Sequence, residues 1–124
     1  MFLRVNNLSK KYGAKTVLEN ISFNQEKGEI ISLIGTSGIG KSTLLKCIAG
    51  LSDINAGEIN LNNNKIHNLE PNNRKISYVF QESPLFPHIN VLDNILFNMS
   101  SYDEKKLDFL LDKTELKNLV KRFP

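Results

Sequence analysis

The residues with the clearest chemical potential lie in the segment GTSGIGKST, residues 35–43. Gly35, Gly40, Lys41 and Ser42 match the spacing G-x-x-x-x-G-K-[ST], in which backbone N–H groups surround phosphate oxygens. The lysine would reach the outer phosphates, and the serine hydroxyl would ligate Mg²⁺. The pattern therefore predicts a site for a nucleoside triphosphate. The residues assigned to this site are Gly35, Thr36, Ser37, Gly38, Ile39, Gly40, Lys41, Ser42 and Thr43.

The segments on either side of this loop have the patterns of a strand and a helix. Residues 29–34, EIISLI, form a short and almost continuous apolar run, which is typical of a strand buried in a parallel sheet. After the loop, the apolar residues within 44–49 share one helical face, and Gly50 suits the position just past a helix end. Such an arrangement directs the loop N–H groups and the positive helix end to one point, where an anion with several oxygens is expected.

Further strands are predicted from alternating apolar residues and from turn residues. The alternation indicates strands in residues 2–12, 16–25 and 58–62, and an apolar run predicts another strand over residues 75–80. Residues 62–64, NNN, are predicted to form a hairpin tip because asparagine tolerates the left-handed backbone region.

The remaining third of the chain has helical patterns. Apolar residues four apart predict a helix from Val91 to Met99. Ser101 and Glu104 have the spacing of a capping box, which predicts that a second helix begins there. A third helix is predicted to start at Thr114 and to end before Pro124.

The composition indicates one globular domain with a modest core. The chain has 124 residues, of which 40% are hydrophobic and 23% are charged. A net charge of +3, spread along the chain, does not favour a nucleic-acid partner. The single cysteine, Cys47, is interpreted as a small core residue in a reducing compartment. No apolar run approaches the ~18 residues of a membrane span, and the first residues lack a signal-peptide pattern, so we expect a chain that does not itself cross a membrane.

The order of these motifs resembles the nucleotide-binding domain of ATP-binding-cassette (ABC) transporters, of the importer type. The segments that carry the resemblance are NLSKKYG, GTSGIGKSTLLKCIAGL, AGEI, YVFQE and LFPHINVLDNI. The resemblance implies an α/β fold, namely a P-loop NTPase core of ABC type with an antiparallel β subdomain and the start of a helical subdomain. Residues 1–124 would form part of such a domain, with the β subdomain and P-loop core in 1–87 and the helical subdomain beginning in 88–124.

The resemblance also assigns roles outside the phosphate loop. Tyr12 resembles the aromatic residue that stacks on the adenine ring, and the alternative is a half-buried tyrosine at a strand end. Gln81 resembles the Q-loop glutamine, a catalytic residue that helps to ligate Mg²⁺ and senses the γ-phosphate. Residues 82–95 resemble the surface that meets a membrane permease, and His88 within it is interpreted as structural or as facing the permease.

Several motifs of the family do not occur in the sequence. They are the Leu-Ser-Gly-Gly-Gln signature, the Walker B aspartate with its catalytic glutamate, and the histidine of the switch region. The ending LKNLVKRFP resembles the stretch directly before the signature. We therefore expect that the chain stops short of it, that the C-terminal part of the sheet is missing, and that ATP hydrolysis needs the complete domain.

Taken as a whole, the resemblance implies the ATP-binding, energy-coupling subunit of an importer for a small solute or ion. Its cofactors would be ATP and Mg²⁺, and its partners would be membrane permease subunits and a second ATP-binding subunit. It would be cytoplasmic, on the inner face of the cell membrane. Two alternatives stay open: a soluble ABC protein without a permease, and a truncated paralogue that binds nucleotide or a partner without hydrolysis.

Overall fold

The computed structural model describes residues 1–82 and 84–124. It divides into two compact units, unit 1 (Met1–Tyr78) and unit 2 (Val79–Pro124). No helix in the described residues has the length and hydropathy needed to span a bilayer.

Unit 1 contains strands β1 (Leu3–Tyr12), β2 (Lys15–Gln25), β3 (Ala56–Leu61) and β4 (Asn64–Lys65), helix α1 (Lys41–Ala49) and a 3₁₀ turn at Pro71–Asn73. Unit 2 contains helices α2 (Val91–Leu96) and α3 (Glu104–Lys113).

The four strands form one antiparallel sheet in the order β2-β1-β3-β4. Val5 of β1 lies opposite Phe23 of β2 and Ile59 of β3, so the alternating apolar residues of neighbouring strands are in register. The buried cluster that they form also contains Leu44, Cys47 and Ile48 of α1. The strands predicted for residues 2–12, 16–25 and 58–62 are confirmed, and burial of Cys47 confirms that it is a core residue.

The hairpin between β3 and β4 also follows the prediction. Asn62 and Asn63 have φ of 49° and 64°, the left-handed values that a two-residue turn of type I′ requires. Asparagine adopts this region more readily than most residues, since its short side chain can bond locally to the backbone. The tip is therefore formed by these two residues, and Asn64 already belongs to β4.

Residues 29–34 and 75–80 are not strands in the structure, so both predictions are wrong for this chain. Ile30 and Ile34 are 90% and 95% exposed, and Val79 is exposed as well. A buried parallel strand needs neighbouring strands on both sides to pair its backbone and cover its side chains. The only sheet within residues 1–82 and 84–124 is antiparallel, and neither segment is one of its strands.

In unit 2 the first helix begins where it was predicted, and the second begins differently. Asn90 caps α2, because its side-chain oxygen accepts a hydrogen bond from the Asp93 N–H at 2.9 Å. The helix ends at Leu96 instead of continuing to residue 99. The cap of α3 is Asp103 rather than Ser101, and its Oδ1 accepts from the N–H groups of residues 105 and 106. A carboxylate at the helix start also interacts favourably with the positive end of the helix dipole.

The third predicted helix is absent from the described residues, where most of 114–121 forms turns. Glu115 has a φ of 58°, which interrupts helical backbone. Its N–H donates to Asp112 O, and the next N–H, of Leu116, donates to Leu111 O, so both groups close the end of α3. Further along, the carbonyl oxygens of residues 120 and 122 accept from the first N–H groups of α2. The segment therefore satisfies two helix termini instead of forming a helix.

Candidate functional site

The phosphate loop leads directly into the N-terminus of α1. The residue before the helix is Gly40, with φ 108° and ψ 5°, and no side chain of the described residues caps the helix there. The first N–H groups of any α-helix have no partner inside it, so those of α1 are available to a ligand. No acidic residue lies in the first turn to compete for them. Together with the helix dipole, this geometry suits an anion.

Gly40 is the point at which the loop is pressed against the sheet. A Cβ atom built on it would lie 2.9 Å from Leu18 Cδ2 and 3.0 Å from the Val17 carbonyl oxygen, both in β2. Neither distance leaves room for a methyl group, and the positive φ is unfavourable for any other residue. Gly38, with φ 80°, has open space around it. The tight contact at Gly40 therefore fixes where α1 begins relative to β2.

Lys41 folds back across its own loop. Its Nζ donates to the carbonyl oxygens of Gly35 and Thr36, each at 2.8 Å. A weak hydrogen bond from the Ile39 N–H to Thr36 O, at 3.4 Å, closes a turn within the loop. These contacts hold the ammonium group beside the loop N–H groups. Ser42 lies exposed in the first turn of α1, where its hydroxyl is accessible.

Tyr12 is the last residue of β1 and is 51% exposed, so it is a half-buried residue at a strand end. Its hydroxyl lies 3.3 Å from Ser52 Oγ, and Lys10 Nζ lies 4.9 Å from the centre of its ring. Tyr12 pairs with Lys15 in the β1–β2 hairpin, two residues before Val17, which contacts Gly40. Tyr12 therefore belongs to the β1–β2 hairpin of unit 1, and the phosphate loop packs against the same hairpin through Gly40.

Gln81 and His88 lie in unit 2, and the structure shows both as exposed. The His88 ring makes an edge contact with the Phe86 ring at 5.9 Å. Ser83, within the predicted permease-facing segment, lies outside the described residues. Unit 2 therefore carries the glutamine of the predicted site, while unit 1 carries the tyrosine and the phosphate loop.

Sequence reasoning missed Asn94, whose side chain holds the loop before α2. Its Oδ1 accepts from the Phe86 N–H at 2.8 Å, and its Nδ2 donates to the carbonyl oxygens of Phe86, Ile89 and Asn90 at 3.0–3.1 Å. The Phe86 ring also lies 4.2 Å from the Phe97 ring. Asparagine has a low helix propensity, so its position inside the helix predicted from Val91 to Met99 was the available signal.

Sequence reasoning also missed Arg74, which is 4% exposed. Charged residues are rarely buried this deeply unless they are paired, and its guanidinium bonds to backbone carbonyls near the end of α1. Burial lowers the pKa of Arg74, and the nearby Asp53 carboxylate partly offsets that effect. Burial likewise raises the pKa of the Cys47 thiol, as expected for an unreactive core cysteine.

Comparison with protein families identifies a match over most of the chain. The model of the family described as ABC transporter matches residues 18–124. Among curated proteins, the maltose/maltodextrin import ATP-binding protein MalK of Aliivibrio fischeri is 36% identical over 124 residues, covering 95% of this chain and 34% of that protein. The spermidine/putrescine import ATP-binding protein PotA of Bacteroides fragilis is 43% identical over 97 residues, covering 78% of this chain and 21% of that protein.

A third relative is the sulfate/thiosulfate import ATP-binding protein CysA of Yersinia pestis, 35% identical, which covers 100% of this chain and 37% of that protein. The chain thus spans about a fifth to a third of the length of these curated relatives. A solved ATP-binding subunit of an ABC transporter has a TM-score of 0.85 and 29% identity, with 100% of this chain and 55% of that chain covered. A dimeric post-hydrolysis structure of the ATP-binding cassette MJ0796, bound to ADP and Pi, has a TM-score of 0.78 and 28% identity, covering 98% and 61%. These similarities confirm the predicted fold class.

Proposed function

The chain belongs to the ABC transporter family, and on this premise we propose that it supplies the ATP-binding part of the energy-coupling subunit of an importer. The observation that carries the proposal is the phosphate loop at the uncapped N-terminus of α1, with Lys41 held beside it. The relatives named above are import ATP-binding proteins for three different kinds of solute, so their names agree on import and ATP binding and differ in the solute. The proposed cargo is therefore a small solute or ion.

In the proposed complex, the phosphates of ATP lie against the N–H groups of residues 35–43. Lys41 exchanges its two loop carbonyls for outer phosphate oxygens, which accept stronger bonds from the ammonium group because they carry the opposite charge. Gly40 fits this role because a residue with a Cβ would collide with Val17 and Leu18 of β2 and so displace the loop. The exposed Tyr12 ring stacks on the adenine base, since every base presents a π-face.

We propose Ser42 and Gln81 as the protein ligands of Mg²⁺, with Gln81 also sensing the γ-phosphate as a catalytic residue. A hydroxyl and an amide are oxygen donors of the kind that Mg²⁺ prefers. The ion, when bound, neutralises the charge that develops on the phosphates. Hydrolysis additionally needs a group that orients the attacking water, which is expected from the Walker B region of the complete domain. The proposed subdomains remain residues 1–87 and 88–124.

The proposed partners are membrane permease subunits and a second ATP-binding subunit, with the protein on the cytoplasmic side of the cell membrane. The exposed apolar side chains of Leu85 and Phe86, in the loop that Asn94 holds, support a permease-facing role for residues 82–95. Exposed apolar residues on a fixed loop are typical of a binding surface.

The full-length gene product is expected to hydrolyse ATP in the presence of Mg²⁺ and to copurify with a membrane permease. Leu85→Asp should weaken that association, because a charge would enter an apolar contact. Leu69→Asp, at an exposed apolar position of unit 1, is the matched control and should leave it unchanged. The measurements are phosphate release and pull-down from detergent-solubilised membranes. ATP hydrolysis without any permease association would instead favour the soluble ABC protein.

Tyr12→Ala is expected to weaken ATP binding by about 1–3 kcal/mol, because stacking on the base is lost. Tyr12→Phe should bind almost normally, since its hydroxyl makes only an exposed contact of 3.3 Å with Ser52. Ser52→Ala removes the same contact and keeps the tyrosine, so it should behave like Tyr12→Phe. Calorimetry with a non-hydrolysable ATP analogue measures all three. Equal losses in the Phe and Ala variants would assign the effect to the hydroxyl and reject stacking.

A further inference from the structure

Arg74 is buried with all its hydrogen bonds directed to backbone carbonyls. Its Nη1 donates to Cys47 O at 2.8 Å and to Ile48 O at 3.2 Å, both in the last turn of α1. Its Nε donates to Leu69 O at 2.8 Å, and its Nη2 donates to His67 O at 2.7 Å. Arginine suits this position because its planar fork presents five N–H donors and remains protonated at neutral pH. The guanidinium therefore ties the end of α1 to residues 67–69.

The end of α1 depends on this contact. Gly50 follows the helix with φ 83°, and its N–H donates to Cys47 O while the Leu51 N–H donates to Lys46 O. This pattern satisfies two of the four terminal carbonyls of the helix. Arg74 adds a bond to Ile48 O and places a cation at the negative end of the helix dipole. A Cβ on Gly50 would lie 2.5 Å from Arg74 Nε, so that glycine also makes room for the guanidinium.

Helix α1 is thus held at both ends on the sheet of unit 1. At its start, Gly40 is pressed against Val17 and Leu18 of β2. At its end, Arg74 connects it to His67, whose Nδ1 accepts from the Ile59 N–H of β3 at 3.3 Å. A helix of nine residues is about 14 Å long, so two fixed ends leave it little freedom to shift or tilt.

We infer that Arg74 is a positioning residue for the phosphate loop, acting through α1. The inference rests on the proposed nucleotide function. The four side-chain hydrogen bonds of Arg74 described above go to residues outside 35–43, so it would act by holding the helix whose first N–H groups face the phosphates. A small displacement of those groups weakens binding because each hydrogen bond depends on distance and direction. The competing explanation is that Arg74 only stabilises unit 1.

Two variants separate positioning from stability. Arg74→Lys keeps the charge but loses the fork that reaches carbonyls on two sides of the side chain. Gly50→Ala keeps the arginine and displaces its guanidinium, which provides a second route if the first variant does not fold. Gly28→Ala is the matched control, because it strains a residue at φ 86° in unit 1 with nothing within 4 Å of the added methyl group.

The test uses the full-length gene product at a temperature where every variant is folded. Arg74→Lys and Gly50→Ala should bind MgATP about tenfold more weakly by calorimetry. Without nucleotide, amide hydrogen exchange should be faster in residues 44–49 of both variants. Gly28→Ala should lower the melting temperature while its MgATP affinity and its α1 exchange stay at the wild-type values.

Wild-type affinity and wild-type α1 exchange in Arg74→Lys would overturn the inference. So would an equal loss of affinity in Gly28→Ala at the same folded fraction, because stability alone would then explain it. A wild-type protein that binds no MgATP would reject the proposed function instead. In that case, the amide hydrogen exchange of residues 44–49 in the wild type and in Arg74→Lys would still show whether Arg74 holds α1 in place.

Discussion

Replacing Lys41 with alanine is expected to abolish measurable binding of ATP analogues by the full-length protein. The Nζ group now donates to two loop carbonyls, so two of its hydrogen bonds point into the loop that would receive phosphate. Hydrogen bonds to charged groups are worth about 1.5–3 kcal/mol each, and losing two would lower the affinity by about a hundredfold or more. Isothermal titration calorimetry measures the change.

The control for this variant lies in the same helix. Lys46 is exposed in the last turn of α1, at the opposite end from the loop, and Lys46→Ala removes the same charge. Its affinity for ATP analogues should equal that of the wild type. If Lys41→Ala binds as tightly as Lys46→Ala, the lysine has no part in the site and the proposed phosphate contacts are rejected.

Gly40→Ala is expected to destabilise unit 1 by about 1–3 kcal/mol and to weaken nucleotide binding at the same time. The added methyl group would meet Leu18 at 2.9 Å, and alanine disfavours a φ of 108°. Relief of that contact has to move the start of α1 away from β2. Chemical denaturation gives the stability change, and calorimetry gives the affinity.

Gly28→Ala separates the contact from the backbone strain in this second prediction. Its φ of 86° is also unfavourable for alanine, but its methyl group would point into open space. It should therefore lose some stability and keep its nucleotide affinity. Equal affinity in the two alanine variants would show that the contact between Gly40 and β2 does not position the loop.

Local sequence patterns predicted most strands and the helix of unit 1. Those elements depend on nearby residues or on strands that are also present in the chain. The alternating apolar residues of β1 and β2 lie on two strands that pair with each other. The two asparagines with left-handed backbone angles fixed the β3–β4 turn. The helix after the phosphate loop ended at Gly50 as its sequence indicated. The strand predicted for residues 29–34 failed because a parallel strand is defined by its neighbours, which its own apolar run does not encode.

The site was predicted only in part, for a related reason. The glycines and Lys41 are recognisable because their spacing alone reflects the chemistry of a phosphate loop. Arg74 and Asn94 bond to backbone carbonyls and N–H groups, which every residue has, so no sequence pattern marks their partners. Asp103 was missed as a cap because Ser101 has the spacing of a capping box, and only the structure shows which side chain reaches the free N–H groups.

The contacts at both ends of α1 have a thermodynamic consequence. Isolated helices shorter than about 12–15 residues are marginal in water, so a helix of nine residues persists because tertiary contacts hold it. The arrangement of N–H groups at its start therefore exists only while the sheet beneath it is folded. A ligand bound there is linked to the folding equilibrium of Met1–Tyr78, and at a hundred times its Kd it adds about 2.7 kcal/mol to the free energy of unfolding. The proposed nucleotide would in that way act as a folding ligand as well as the proposed substrate.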